Sequence, residues 1–524
     1  MTDIAELVAG NIDIWTGAIQ RKTGAGRGGG KRISLYGIER LRALILDLAV
    51  RGKLVPQDVT DEPASDLLKR IAESKAAMIR DGVIRKPRDV ESKNNLKQPF
   101  SIPNTWQWVR LDQVGAIIGG GTPSSNDAAC FAESGTGIAW LTPADLGGFT
   151  GRYIAHGARD LTDFGLRSSS ATLMPAGSVL FTSRAPIGYV AIAERPVTTN
   201  QGFKSVVPFI SDCSLFVATA LKSFAKSIND NAPGTTFKEV SGKIVSSIPF
   251  PLPPLAEQRR IVAKVDELMA LCDALERESA DAMASHQALV EALLATLVNS
   301  ADASDLAHQW ARLESHLDTL FTTDASIEAL KQTILDLAVR GKLVEQDSRD
   351  EVASSLVQDW KKAKSAALIS AGDRRIKAAP DPKFPPFPLP SHWGFQSFEN
   401  IFLFIDYRGN TPPKTSEGIP LITAKNVRMG YLDREPREFI SEATFPKWMT
   451  RGFPRIDDLF FTTEAPLGNV CQNDVEEPFA IAQRLICFQP YGDVNTRFFM
   501  LAIMSRSMQQ VLDDHATGMT ARGM

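Results

Sequence analysis

Residues 45–55 read ILDLAVRGKLV, and residues 334–344 read ILDLAVRGKLV again. Eleven identical residues 289 positions apart mark an internal duplication, and so long a period excludes a solenoid of short stacked repeats. Weaker matches continue outward in the same order. Trp106-Gln-Trp108 pairs with Trp393-Gly-Phe395, and Gly121-Thr-Pro123 with Asn410-Thr-Pro412. Trp140-Leu-Thr-Pro143 pairs with Leu421-Ile-Thr-Ala424. Residues 180–188 (LFTSRAPIG) pair with 460–468 (FFTTEAPLG), and Gly234-Thr-Thr236 with Gly518-Met-Thr520. The chain reads as two copies of one unit, each a helix followed by a globular domain. Helices that stayed alike beside domains that drifted imply a pseudo-two-fold scaffold carrying two differently specialised domains.

Around the first copy, Leu41, Leu44, Ile45, Leu48 and Ala49 recur at helical spacing, and the helix should end at Gly52. Arg51 and Lys53 suit its negative end. A second helix is expected over 62–82, then a charged connector over 83–98. Residues 99–250 alternate short apolar runs (177–182, 187–192, 202–207) with Gly, Pro and Asn, which reads as strands and turns. One amphipathic helix fits near 215–228. PLPPL at 251–255 breaks this pattern, and a helix should start at about Leu255. Ile261, Val265, Leu268, Cys272 and Leu275 then step by four and three, a heptad seam expected to run to about Val298, about 65 Å. Residues 251–345 hold 8 basic and 16 acidic side chains, so the seam is expected to face a protein partner rather than nucleic acid. Leu306, Trp310, Leu313, Leu317 and Leu320 predict another helical stretch, the repeated helix covers 327–344, and 346–379 is charged and helical.

The expected fold class is α+β: two strand-rich domains joined by long antiparallel coiled-coil helices in a pseudo-two-fold internal repeat. The expected segments are a flexible N-terminal extension (1–32), a helical segment (33–95), a first strand-rich domain (96–250), a central helical region (251–379) and a second strand-rich domain (380–524).

Several function classes fall away. The chain has no run of about 18 apolar residues and no basic start with an apolar core behind it, so a cytoplasmic protein with no membrane partner is expected. Its five cysteines (Cys130, Cys213, Cys272, Cys471, Cys487) form no C-x-x-C pair, so free, reduced, buried thiols are expected and a metal site is not. RKTGAGRGGGKR at 21–32 has Ala25 where a phosphate loop needs glycine and Arg32 where it needs Ser or Thr. Phe384-Pro-Pro-Phe387 lacks the amide that would hold a flipped adenine in a methyltransferase. No paired carboxylates or nucleophile–base pair stands out, so no catalytic site is expected on this chain. The net charge of −3 gives no general support for DNA binding, and any basic face must be local.

The order and wording of these segments resemble the specificity subunits (HsdS) of type I restriction-modification systems. PLPPLAEQRRIV at 251–262, with the seam behind it, is the strongest marker. LAVRGKL at 337–343 with its twin is a second, and FTSRAPIG at 181–188 followed by Asn200-Gln-Gly202 is a third. The resemblance spans about 33–524. It implies two target recognition domains, each reading one half of a bipartite duplex, held apart by antiparallel helices that dock methylation subunits, two of them expected. Docking is assigned to Ile261, Val265, Leu268, Cys272 and Leu275. It also implies S-adenosylmethionine on the methylation subunits, ATP and Mg on motor-nuclease subunits, no cofactor on this chain, and a part in phage defence. A helix of about 65 Å matches two turns of B-DNA at about 34 Å each, a ruler between half-sites. The second copy departs from the pattern by stopping at Met524, before a second LPPLAEQ helix; a shortened chain, or one completed by another polypeptide, is expected from this.

Arg reads guanine, and Asn or Gln reads adenine, in the major groove, whereas phosphate contacts only position. The contacts expected in the first domain are Thr122, Thr182, Ser183, Arg184, Asn200, Gln201, Lys204, Thr235, Thr236 and Lys238. In the second they are Thr411, Lys414, Lys425, Asn426, Thr462, Thr463, Gln483, Arg484 and Thr520. The same residues could equally build turns common to both domains. Glu464 stands where the first copy has Arg184, so the two domains should read different bases. A second reading stays open: a truncated specificity-like interaction protein that binds methylation subunits without productive sequence-specific DNA recognition.

Overall fold

The computed structural model describes residues 10–18, 20–22, 32–82, 84, 98–184, 186–234, 238–301, 303–370, 387–407 and 411–516. The chain divides into two compact units, Met1–Asp281 and Ala282–Met524, each mixing helices and strands.

In the first unit, helix α1 (Tyr36–Val50) forms where the apolar spacing predicts it. It stops at Gly52, whose φ of +66° is open to glycine and strained for other residues. A side chain there would also meet the Pro103 ring 2.5 Å away. Helix α2 (Ala64–Arg80) follows. The strand-rich body holds β1 (Gln107–Arg110), β2 (Gly115–Gly119), β3 (Phe131–Glu133), β4 (Ile138–Leu141), β5 (Tyr153–Ile154) and β6 (Arg159–Leu161). It continues with β7 (Val179–Phe181), β8 (Val190–Ala193), β9 (Val197–Thr199), β10 (Lys204–Pro208), helix α3 (Ser214–Asp230) and β11 (Pro249–Leu252). One sheet runs β2-β10-β7-β8-β5 and another β9-β4-β6-β3, while β11 pairs with β1. β9 and β4 are parallel, with Thr199 opposite Leu141, so both deliver their following loops to one edge.

Helix α4 (Leu255–Val298) begins where the proline run ends. Its seam residues Ile261, Val265, Leu268, Cys272 and Leu275 are all 5% exposed or less and share one core with Ile38, Leu41, Ile45 and Ala49 of α1. Arg42 reaches Asp273 and Glu276, while Gln57 reaches Glu257 and Arg260 reaches Asp61, so the two helical stretches run antiparallel. The expectation that these five residues dock a methylation subunit is therefore corrected. Their apolar atoms are already removed from water inside this unit, and a partner has nothing there to cover.

In the second unit, α5 (Ala303–Glu314), α6 (Asp324–Val339) and α7 (Ala353–Ser370) precede β12 (Phe402–Asp406), β13 (Lys414–Thr415), β14 (Ile419–Ile422) and β15 (Phe439–Ile440). Then come β16 (Leu459–Thr462), β17 (Val470–Gln472), β18 (Ala480–Ile481), β19 (Leu485–Pro490), α8 (Thr496–Met504) and α9 (Arg506–Asp514). The sheets run β12-β19-β16-β17 and β13-β15-β14-β18, with β14 and β18 parallel. Gly341 (φ +65°) ends α6 and lies against Pro390 and Trp393, as Gly52 lies against Pro103 and Trp106. Arg340 stacks on Phe387 at 4.8 Å, as Arg51 does on Phe100 at 4.6 Å.

Identical sequence does not give identical burial. Ile45 is fully buried in α1, while Ile334, its equivalent in α6, is 38% exposed. Leu48 is only partly buried, while its equivalent Leu337 is 2% exposed. The two helices thus bury different faces.

Candidate nucleic-acid interface

The loops that leave β4 and β9 meet at one edge of the first unit. Asn200 N donates to Leu141 O (2.8 Å) and Gly121 N to Thr199 O (2.8 Å), pinning three loops together. The Trp140 indole donates to Gly121 O at 3.0 Å. A Cβ on Gly120 would sit 2.0 Å from Asn200 O, so only glycine permits this approach. Residues 200–203 form a β-turn closed by Phe203 N to Asn200 O (3.3 Å), and the Asn200 side chain accepts from Gly202 N at 2.8 Å. Asn200 therefore shapes the turn. Gln201 stands exposed on it, and the Thr122 hydroxyl donates to its Oε1.

Thr182 and Ser183 are fully buried. The Thr182 hydroxyl donates to Pro186 O (2.8 Å) and accepts from Tyr189 N (2.9 Å), while Ser183 donates to Gly202 O at 3.1 Å. Arg184, next along the chain, is partly exposed and makes no ion pair among the described residues. Lys204 donates to the carbonyls of Gln201 (3.3 Å) and Phe203 (3.2 Å). Burial depresses its pKa, Arg184 pulls the same way, and Glu239 opposes them. Lys238 donates to Asn229 O at the end of α3, at 3.0 Å.

The second unit repeats much of this framework. Ala482 N donates to Ile422 O (2.9 Å), and Leu485 N to Ala482 O (3.2 Å), a turn that carries Gln483. The Thr411 hydroxyl donates to Gln483 Oε1 at 3.0 Å. Thr462 donates to Pro466 O (2.6 Å) and accepts from Asn469 N (3.0 Å). Thr463 N donates to Arg484 O at 3.2 Å. Glu464 and Arg484 form an ion pair at 2.7 Å across the two loops. Lys414 (2.6 Å) and Lys425 (3.3 Å) share the Glu438 carboxylate. Burial raises the pKa of Glu438, but these two ammonium groups outweigh it and hold the carboxyl below its ordinary value. Asn426 is buried, its amide bridging Thr423 to the carbonyls of Asp433 and Pro436.

Five expected base contacts are corrected by this placement. Thr182, Ser183, Thr462, Thr463 and Asn426 are each 4% exposed or less, and their polar atoms bond within their own loops or, for Ser183 and Thr463, to the carbonyls of Gly202 and Arg484 on the neighbouring turns. They fix the framework and present nothing to a ligand. Thr122, Arg184, Gln201 and Lys204 gather at one edge, as do Thr411, Gln483 and Arg484. Thr235, Thr236 and Thr520 lie outside the described residues. Reading the sequence missed the two Thr–Gln pairs and the Glu464–Arg484 pair. Their only trace was a Thr and a Gln kept at matching places in both copies.

Among the described residues there is no group of three or more His, Cys, Asp or Glu side chains placed to hold a metal, and no helix is long and apolar enough to cross a membrane.

Residues 103–282 match the type I restriction modification DNA specificity domain. The chain is 31% identical over 523 residues to the type I restriction enzyme EcoAI specificity subunit of Escherichia coli, covering 95% of this chain and 86% of that one. The chain belongs to the family of type I restriction enzyme specificity subunits. A second specificity subunit, that of EcoEI from Escherichia coli, is 36% identical over 439 residues, covering 80% of this chain and 70% of its own length. Among solved structures, the HsdS subunit from Thermoanaerobacter tengcongensis is 21% identical over 51% of this chain and 62% of that chain, with a TM-score of 0.28. As a specificity subunit the chain is a non-catalytic component of its restriction-modification system.

Proposed function

We propose that the chain is the DNA-sequence-recognition subunit of a type I restriction-modification complex and reads a bipartite duplex target. Residues 96–250 and 380–524 are the two target recognition domains, diverged copies of one internal repeat. Residues 33–95 and 251–379 are the helical regions that carry them and dock methylation subunits, on exposed faces rather than on the buried seam. Residues 1–32 are an extension. S-adenosylmethionine, ATP and Mg belong to the partner subunits, and the complex works in the cytoplasm.

One observation carries this reading: both units build the same loop-edge framework and then place different charges on it. Arg184 in the first is Glu464 in the second, and Gly202 is Arg484. A shared frame with exchanged charges is what two readers of different half-sites need, because donors and acceptors at base edges specify while the frame positions.

The test is retention of duplexes carrying about 30 randomised base pairs, followed by sequencing of the bound fraction. Two short fixed blocks separated by a gap of constant length are expected. Arg184→Ala should relax one block only, and Glu464→Ala only the other, each at about 1–3 kcal/mol of discrimination. A single block, or loss spread evenly over all sequences in both variants, would refute base reading at these positions.

A further inference from the structure

We propose that the Thr122–Gln201 and Thr411–Gln483 pairs are sequence-neutral anchors whose glutamine amides donate to phosphodiester oxygens, and that they do not read bases. This rests on the duplex-reading function above and divides the labour within it.

The two pairs are the same device. In each, a threonine hydroxyl donates to Oε1 of a glutamine carried on a β-turn. In each, that turn is fastened at its first residue to the end of the strand running parallel beside it. The threonine and glutamine of a pair are 79 residues apart in one domain and 72 in the other, so neither pair follows from local chain geometry. At three positions beside them the chemistry changes. Arg184 becomes Glu464, Gly202 becomes Arg484, and Lys204 becomes Ile486. A feature held constant between two domains that read different half-sites can encode neither half-site. It fits what every duplex offers at a fixed place, the phosphate backbone.

Amide geometry points the same way. A glutamine that reads adenine uses both ends of its amide, Oε1 to accept and Nε2 to donate. Here the threonine hydroxyl takes one of the two lone pairs of Oε1 and holds the amide in place, while both Nε2 donors stay open to a ligand. A fixed pair of donors suits an anionic oxygen. The hydroxyl also fixes the side-chain torsions of a residue otherwise free on the surface, so less freedom is lost on binding.

The randomised-duplex retention assay separates this from the function it rests on. Gln201→Ala and Gln483→Ala should each weaken binding about tenfold, the size of one hydrogen bond to a charged group at the low end of its range. The loss should be equal for the retained duplex and for an unrelated one, with both blocks unchanged. The double variant should multiply the two losses. The slope of affinity against salt should stay constant, because a neutral amide releases no counterion. Thr122→Val, which keeps the shape and removes the hydroxyl, should reproduce most of the Gln201→Ala loss, and Thr122→Ser should restore it. A changed base within either block on glutamine replacement would overturn the anchor and make the residue a base reader. Unchanged affinity with blocks intact would also overturn it, while leaving the recognition function standing. A parent chain that retains no DNA would overturn both.

Discussion

The two ILDLAVRGKLV segments allow an internal control on packing energetics, since the same substitution can be made twice in the same local sequence. Ile45 is fully buried among Ile38, Leu41 and Ile261, so Ile45→Ala removes three carbons and leaves a cavity in a closed core. A cost of about 3 kcal/mol is expected. Ile334 is 38% exposed, so the surface dent left by Ile334→Ala fills with water and no cavity term arises. The remaining transfer loss of about 1 kcal/mol is partly offset by the better helix propensity of alanine, a few tenths of a kcal/mol, so the net cost should stay below about 1 kcal/mol. The leucines three residues on should reverse the order, with Leu337→Ala costing about 3 kcal/mol and Leu48→Ala about 1. Urea unfolding followed by tryptophan fluorescence gives the midpoints, and peptide-level hydrogen exchange assigns each loss to α1 or α6. Equal costs for Ile45→Ala and Ile334→Ala, or for the two leucine variants, would refute the claim that identical helices bury different faces.

Three further outcomes follow from buried groups near the loops and helices. Glu257 is 1% exposed; burial raises the pKa of its carboxyl, opposed by hydrogen bonds from Trp106 (2.9 Å) and Gln57 (2.6 Å) and by the charge of Arg260. A folded pKa above the unfolded one means that the folded state binds more protons in that window, so this group favours folding most below about 4.5 and loses that contribution as pH rises through the folded value. Glu257→Gln should therefore gain stability relative to the parent as pH rises from 4.5 to 8 in urea titrations, and parallel profiles would contradict this. All five cysteines are free and buried, with burial pushing Cys213 up to about 11 and Cys471 up to about 12. An aromatic disulfide reagent at pH 8 should find no fast thiol in the native chain and five after denaturation; rapid native labelling would count against this packing. Gly120→Ala should cost about 2–4 kcal/mol by driving a methyl group into the Asn200 and Thr199 carbonyls, with thermal unfolding as the readout and a change under about 0.5 kcal/mol as the contrary result.

Much of the fold could be read from the sequence because its signals are local. The apolar spacing of 41–49 gave α1, the proline run at 251–254 set the start of α4, and Gly52 stops its helix where a positive φ is required; Gly341 stops α6 in the same way at Val339, short of the 344 expected for that helix. The seam was placed correctly and given the wrong role. A four-and-three step is the same whether it covers its own α1 or another protein, and only the tertiary fold decides. The loop residues failed for a related reason. A threonine that closes a turn, such as Thr182 or Thr462, has the same composition and neighbours as one that would reach a base. What separates them is whether the hydroxyl is already bonded at home. The Thr–Gln pairs need long-range closure, which no local pattern reports.

The Thr182 and Thr462 hydroxyls each clasp a carbonyl four residues on and an amide seven residues on. The tips at residues 184 and 464 are thus carried on a brace that takes nothing from the tip's own side chain. An arginine can give way to a glutamate there without the loop having to refold. If these tips read bases as proposed, retargeting such a protein becomes a matter of swapping letters on a braced mount, open to single substitutions rather than to the rebuilding of a domain.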